Sequence, residues 1–325
     1  MIIFRTDASQ KTGFGHLNRS SYLASLLKSK CKVLFCVEKD KKVTRFLDEK
    51  GFSYCTAKEL LRRDASEYKS IVFDLRHFDE EDLGLLEHGR RERKSTVQIT
   101  DLGLSQQNTD FTIDCSVEKL FPYSEERLGS LLDGPDYAIL HTRYRHFHRV
   151  KRKYKDKMKR ILICFGGGAD YSHLREGVDL LTRHGYEVKI APGFYLKKNS
   201  PKTLRRIYKG IRFVGKTETL ARAFFEADAA LITSGVAAFE AAAVGTPALY
   251  LYYHNEQKFI AKAFENKGAG LEISNIDDLL RVDLVEKMKT LTLEKRIEMG
   301  TDGKKLVDGM GVYRIIDFFE KNNII

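Results

Sequence analysis

Apolar and polar positions fall in blocks along this chain. Met1, Ile2, Ile3 and Phe4 form a short apolar run that suits a buried strand. Asp7, Ser9, Gly13 and Gly15 follow as a loop, and from Leu17 the apolar positions Leu23, Leu26 and Leu27 continue at helical spacing. The same succession predicts further strands at 31–37, 69–74 and 95–100, with helices at 17–29, 40–50 and 79–92. A second series follows, with strands at 160–165, 186–191, 211–214, 228–232 and 247–252 and helices at 171–183, 217–226, 236–243 and 256–266. Residues 277–320 read as several helices, punctuated by Gly300 and Gly309. Strands alternating with helices predict an α/β protein with parallel, doubly wound sheets. We expect two Rossmann-like domains, 1–150 and 151–325, with a cleft between them. Ligands of such sheets bind at the carboxyl ends of the strands, where Asp7, Asp74 and Asp101 stand. Any one of these is equally a cap or turn residue.

Composition narrows the class. The 325 residues are 42% hydrophobic and 31% charged, the balance of a soluble globular protein. No apolar run reaches the roughly 18 residues of a membrane span. The N-terminus starts in strand-like sequence without a secretory pattern, so a cytoplasmic location is expected. Cys31, Cys36, Cys55, Cys115 and Cys164 form no C-x-x-C pair and are read as reduced core residues. Seven of the eleven net positive charges sit in residues 149–160, RVKRKYKDKMKR. No nucleic-acid-binding module accompanies them, so no nucleic-acid partner is expected. The stretch reads as a solvated interdomain linker or as a weak contact with an anionic membrane surface or a substrate phosphate.

Three segments carry the chemistry. A glycine loop opening a helix, as at Gly13 and Gly15, lets a ligand approach the backbone and favours anions, and His16 stands at that entry. By themselves the two glycines are also consistent with a simple turn. Residues 161–170, ILICFGGGAD, are a buried strand followed by glycines and an acid, which suits a phosphate turn. In residues 231–257 a strand ends at Thr233, Ser234 and Gly235 turn, and an Ala-rich helix carries a lone acid, Glu240. A small-residue turn opening a helix makes an anion site, and Glu240 lies where a carboxylate accepts hydrogen bonds from ribose hydroxyls.

Arg5-x-Asp7-Ala8-Ser9, Gly13-x-Gly15-His16 and Arg19 together resemble the opening motif of the PseG-like nucleotide-sugar hydrolases. These are UDP-sugar hydrolases of pseudaminic acid biosynthesis, related to GT-B glycosyltransferases. Gly134-Pro135-x-Tyr137-x-x-Leu140, Gly167-Gly168-x-Asp170, the helix with Glu240, and Asn255 with Gln257 extend the resemblance over most of the chain. It implies the GT-B architecture, a UDP-sugar substrate and His16 as catalytic base. It also implies substrate contacts at Arg5, Gly13, Gly15, Arg19, Asp74, Gly167, Gly168 and Asp170, and nucleotide contacts at Ser234, Gly235, Glu240, Asn255 and Gln257.

Three departures stand out. Val236-Ala237 replaces a hydroxyl-bearing pair before the ribose acid. Glu256 interrupts the Asn-Gln pair. Asp74-Leu75-Arg76 replaces the family's Asp-x-Tyr, which bears on the sugar. A neutral imidazole at position 16 can take the proton of an attacking water, with Asp7 as the candidate to orient the ring. No D-x-D motif occurs, so neither a metal nor another cofactor is expected. A glycosyltransferase of the same architecture and a catalytically silent nucleotide-binding relative are the alternative readings. The sequence leaves the oligomeric state open.

Overall fold

A computed structural model describes residues 1–8, 13–102, 108–120, 130–166, 171–193, 200–208, 211–215, 219–279 and 283–325. The chain forms two compact units, residues 1–139 with 310–325 and residues 140–309. This division differs from the expected boundary at 150. The basic stretch is part of the second unit, and the last sixteen residues return to the first.

The first unit contains β1 (Ile2–Thr6), α1 (Gly15–Leu27), β2 (Val33–Cys36), α2 (Lys41–Glu49), β3 (Ser53–Cys55), α3 (Ala57–Leu60), β4 (Ser70–Asp74), α4 (Glu80–Arg91), β5 (Ser95–Thr100), β6 (Phe111–Asp114) and β7 (Ser130–Asp133). All seven strands pair in parallel in the order β3-β2-β1-β4-β5-β6-β7. A parallel sheet is covered on both faces, which is why β1 and β4 are buried at every position and read as continuous apolar runs. Ile3, Leu34, Ile71 and Phe73 meet Leu85 and Leu86 of α4 in one core. Helix starts follow local chemistry: Asp40 caps α2, and Asp79 forms a capping box with Asp82 at the start of α4.

The second unit contains α5 (Thr142–Arg149), β8 (Arg160–Cys164), α6 (Tyr171–Arg183), β9 (Glu187–Ile190), α7 (Ser200–Ile207), β10 (Arg212–Phe213), α8 (Ala221–Glu226), β11 (Ala229–Thr233), α9 (Val236–Ala243), β12 (Ala248–Tyr252), α10 (Asn255–Asn266), β13 (Leu271–Asn275), α11 (Leu284–Lys289) and α12 (Leu293–Leu306). Its sheet is also parallel, ordered β10-β9-β8-β11-β12-β13. The last helix, α13 (Gly311–Lys321), belongs to the first unit.

In each sheet the strand order reverses at one place, between β1 and β4 and between β8 and β11. A crevice opens outside the carboxyl ends of the strands at such a switch point. The expected site segments follow β1, β8 and β11, so topology puts them at these two places. The five cysteines are free, four of them buried. Among the described residues no helix is long and apolar enough to cross a membrane.

Candidate functional site

In the first unit the chemistry gathers just beyond β1 and β4. Gly13 has φ +81°, a left-handed conformation that glycine adopts without strain, and it turns the chain into α1. Among the described residues no side chain caps the start of that helix. His16, in the first turn, is 7% exposed. Its Nδ1 lies 2.8 Å from Asp7 Oδ1. Burial alone would raise the Asp7 carboxyl. The hydrogen bond from His16 and the positive charges of Arg76 and Arg19 outweigh it and hold the group below the usual carboxylate range. A carboxylate only accepts, so the shared proton sits on Nδ1 and Nε2 is left as the acceptor. An imidazole fixed in this tautomer can take a proton from a hydroxyl or a water.

Arg19, one turn further along α1, is wholly engaged. Its Nε reaches both Asp74 oxygens at 3.0 Å, its Nη2 reaches Asp74 Oδ1 at 2.6 Å, and its Nη1 reaches Asp101 Oδ2 at 2.8 Å. The Ser20 hydroxyl donates to Asp74 at 2.7 Å. Burial would raise the Asp101 carboxyl, but the charges of Arg19 and Arg76 bring it down to about 2. These charge-assisted bonds tie α1 to the ends of β4 and β5 and so fix the His16 turn against the sheet.

In the second unit, Gly166 (φ +73°) turns the chain after β8, and a Cβ there would lie 3.3 Å from Thr233 Oγ1. Ser234 and Gly235 lead from β11 into α9. Glu240, in the second turn of α9, is 6% exposed. Burial pushes its carboxyl up to about 7, against the nearby hydroxyl of the fully buried Tyr144 of α5, which works the other way. Its charge reaches Cys164 at the end of β8, so the acid lies at the switch point of this sheet.

Comparison with known proteins places this architecture. No protein-family profile matches the chain. Over 331 residues it is 27% identical to the spore coat polysaccharide biosynthesis protein SpsG of Bacillus subtilis, covering 95% of this chain and 94% of that one. Among solved structures, MurG of Acinetobacter baumannii superposes with a TM-score of 0.66 at 15% identity, covering 98% and 99% of the two chains. The spinosyn rhamnosyltransferase SpnG, solved with spinosyn aglycone, superposes with a TM-score of 0.62 at 14% identity, covering 98% and 100%. The fold is GT-B. At these identities the structural likeness speaks for the fold alone.

Within that fold the expected site residues separate into several kinds. His16 and Asp7 come together at hydrogen-bond distance. Gly13 turns the chain between them, and Gly15 opens α1. Arg5, Arg19 and Asp74, expected at the substrate, are instead buried in ion pairs. The Nε of Arg5 is 2.5 Å from Asp82 Oδ1 on α4, and Asp74 is fully enclosed by Arg19 and Ser20. Their geometry supports holding the turn rather than touching a ligand. Ser234 is fully buried and its hydroxyl is directed at the carbonyls of Gln257 (2.6 Å) and Leu251 (3.2 Å). Gly235 has φ 178°, an extended conformation open to any residue. The Gln257 side chain accepts from the Tyr253 N–H at 2.9 Å and steadies the loop before α10, while Asn255 is exposed at the first position of that helix. Gly167, Gly168 and Asp170 lie outside the described residues.

Sequence reasoning missed two partners. Tyr144, in a segment read only as the close of the first domain, faces Glu240. Arg76, noted only as a departure from the family pattern, lies close enough to act on both Asp7 and Asp101. Its position two residues past a strand-end aspartate was the available signal. Among the described residues no group of three or more His, Cys, Asp or Glu could hold a metal ion.

Proposed function

We propose that this chain is a nucleotide-sugar hydrolase that releases UDP from a UDP-linked diacetamido-deoxy sugar by water attack at the anomeric carbon. The observation that carries this reading is the partly buried His16–Asp7 pair at 2.8 Å, set beside a glycine turn at the carboxyl edge of a doubly wound sheet. His16 Nε2 takes a proton from water as the oxygen bonds to the anomeric carbon. The bond from that carbon to the phosphate oxygen breaks, and UDP departs with the electron pair. Asp7 fixes the tautomer and stabilises the imidazolium that forms. The nucleotide rests on the second unit, where the β11–α9 turn offers backbone N–H groups and Glu240 a ribose acceptor. The B. subtilis relative, named for spore coat polysaccharide biosynthesis, supports a place in the making of a surface polysaccharide; the pseudaminic acid type rests on the motif resemblance alone.

A second reading, transfer of the sugar to an acceptor hydroxyl in place of water, draws on the same His16–Asp7 pair, whose free ring nitrogen can accept from either. Incubation with UDP-sugars and no acceptor separates the two. Prompt UDP release supports the hydrolase, whereas release that depends on an added acceptor supports the transferase. In either case His16→Asn, which cannot accept a proton at neutral pH, should lower turnover by about 10²–10⁴. UDP affinity should stay near the wild-type value. Full activity in the folded variant would remove His16 from the chemistry.

A further inference from the structure

At the first switch point one cation has been left without an assigned partner. Arg76 stands two residues beyond the end of β4, the strand that pairs with β1 in the register Thr6↔Asp74. Its Nη1 is sealed from water and has no hydrogen-bond partner among the described residues, although the residue as a whole is only half-buried. The carboxylates around it are already engaged, Asp7 by His16 and Asp74 and Asp101 by Arg19. The positive charge of Arg76 acts on Asp7 and Asp101, yet neither hydrogen-bonds to it. A guanidinium N–H left buried and unbonded gives up its hydration and gains nothing in return. Such a cost is tolerated at a site where a ligand supplies the missing acceptor.

We infer that Arg76 is an oxyanion-binding residue of the His16 site, holding a carboxylate or phosphate group of the substrate. A guanidinium has five N–H donors and no acceptor, in a planar fork that matches the paired oxygens of either group. Its neighbour Asp7, which is hydrogen-bonded to His16, puts that oxyanion near the point of proton transfer. The group is therefore an acidic substituent on the sugar or the phosphate on the anomeric carbon. This inference rests on the nucleotide-sugar reading for the identity of the ligand.

Titration calorimetry on the full chain, wild type against Arg76→Gln and Arg76→Lys, tests it with four probes. These are UDP-glucuronic acid, UDP-N-acetylglucosamine, free glucuronate and inorganic phosphate. Losing a charge-assisted pair should weaken binding by about 10–100-fold in Arg76→Gln, with Arg76→Lys restoring part of it. A loss confined to UDP-glucuronic acid or glucuronate assigns Arg76 to a sugar carboxylate. An equal loss for both UDP-sugars, or a loss for phosphate, assigns it to a phosphate. If wild type binds neither UDP-sugar but binds glucuronate or phosphate through Arg76, the nucleotide-sugar reading fails and the oxyanion site stands. Unchanged binding of every probe by Arg76→Gln, or no binding of any probe by wild type, overturns the inference.

Discussion

Glu240 shows how one residue can trade stability for binding. An ordinary glutamate titrates near 4.5, but burial raises this one to about 7. A carboxyl whose folded pKa lies above its unfolded value gives its full stability below the unfolded value and loses it as pH rises through the folded one. The native state should therefore lose roughly 3 kcal/mol between about pH 4.5 and pH 7 through this group alone. Glu240→Gln escapes that loss and should unfold at a higher temperature than wild type above pH 7, with the difference vanishing below about pH 4.5. Binding should run the other way. If ribose hydroxyls donate to the carboxylate, UDP binding favours its ionised form, and wild-type affinity should rise up to about tenfold per unit as pH climbs towards 7. The pH profile of Glu240→Gln corrects for the titration of UDP itself. Parallel profiles for the two proteins would take Glu240 off the ribose. At this scale the sequence revealed the residues that stand alone in a motif, such as His16 and Glu240. It did not reveal partners distant along the chain. Asp82 for Arg5, Asp101 for Arg19 and Tyr144 for Glu240 meet only once the strands are ordered in a sheet.

At the level of elements, the basic stretch between α5 and β8 proves to be an anchored strap. Lys151, Lys153, Lys155, Lys157 and Lys159 are exposed, whereas Arg152, Tyr154 and Met158 turn inward. Arg152 donates to the Phe225 carbonyl and the Thr246 hydroxyl at 3.0 Å each and to the Ala227 carbonyl, closing the C-terminal end of α8. Burial lowers its pKa to about 10, so it remains charged at neutral pH. The Tyr154 hydroxyl donates to the Gly245 carbonyl at 2.8 Å, and Arg296 holds the carbonyls of Lys155 and Asp156 at 2.8 and 2.9 Å. Thus Arg152→Gln should cost roughly 2–3 kcal/mol in denaturant unfolding. Exchange of Lys151, Lys153, Lys155 and Lys157 for Gln should change stability by less than about 1 kcal/mol. The membrane contact proposed for this stretch resides in those lysines. The fourfold variant should co-sediment less with anionic vesicles while keeping its turnover, and a large loss of turnover would place the stretch at the active site. The elements legible beforehand were the buried parallel strands and the helices with strong spacing, such as 171–183 and 236–243. β3, β6, β7 and β13 were missed because they are three to five residues long and carry polar residues, with no apolar run to mark them. Gly300, read as a break between helices, lies inside α12. A Cβ there would come within 1.7 Å of the Tyr154 hydroxyl, so it is glycine for closeness rather than for turning.

On the scale of the whole molecule, the chain passes from the first unit to the second at 139–140 and returns at 309–310. α13 then completes the first unit. Val312, Ile315, Ile316 and Phe319 are buried, Phe318 meets Phe111 edge-on at 5.3 Å, and the Ser70 hydroxyl donates to the Ile324 carbonyl at 2.9 Å. The approach is closest where the helix begins. A Cβ on Gly311 would lie 2.2 Å from the Ala138 carbonyl oxygen and 2.6 Å from the Tyr137 carbonyl carbon. Both obstacles are backbone, so neither can swing aside as a side chain would. Gly311→Ala must push the helix off its seat and should cost roughly 1–3 kcal/mol, the usual range for overpacking. The second unit has its own sheet and core, so the loss should stay local. Amide hydrogen exchange should quicken in β4 and β6, next to Ser70 and Phe111, and remain at the wild-type rate in β11 and β12. UDP affinity, assigned to the second unit, should be retained. Equal acceleration in both sheets would mean that the two units unfold as one, and unchanged exchange in β4 and β6 would mean that α13 does not support the first sheet.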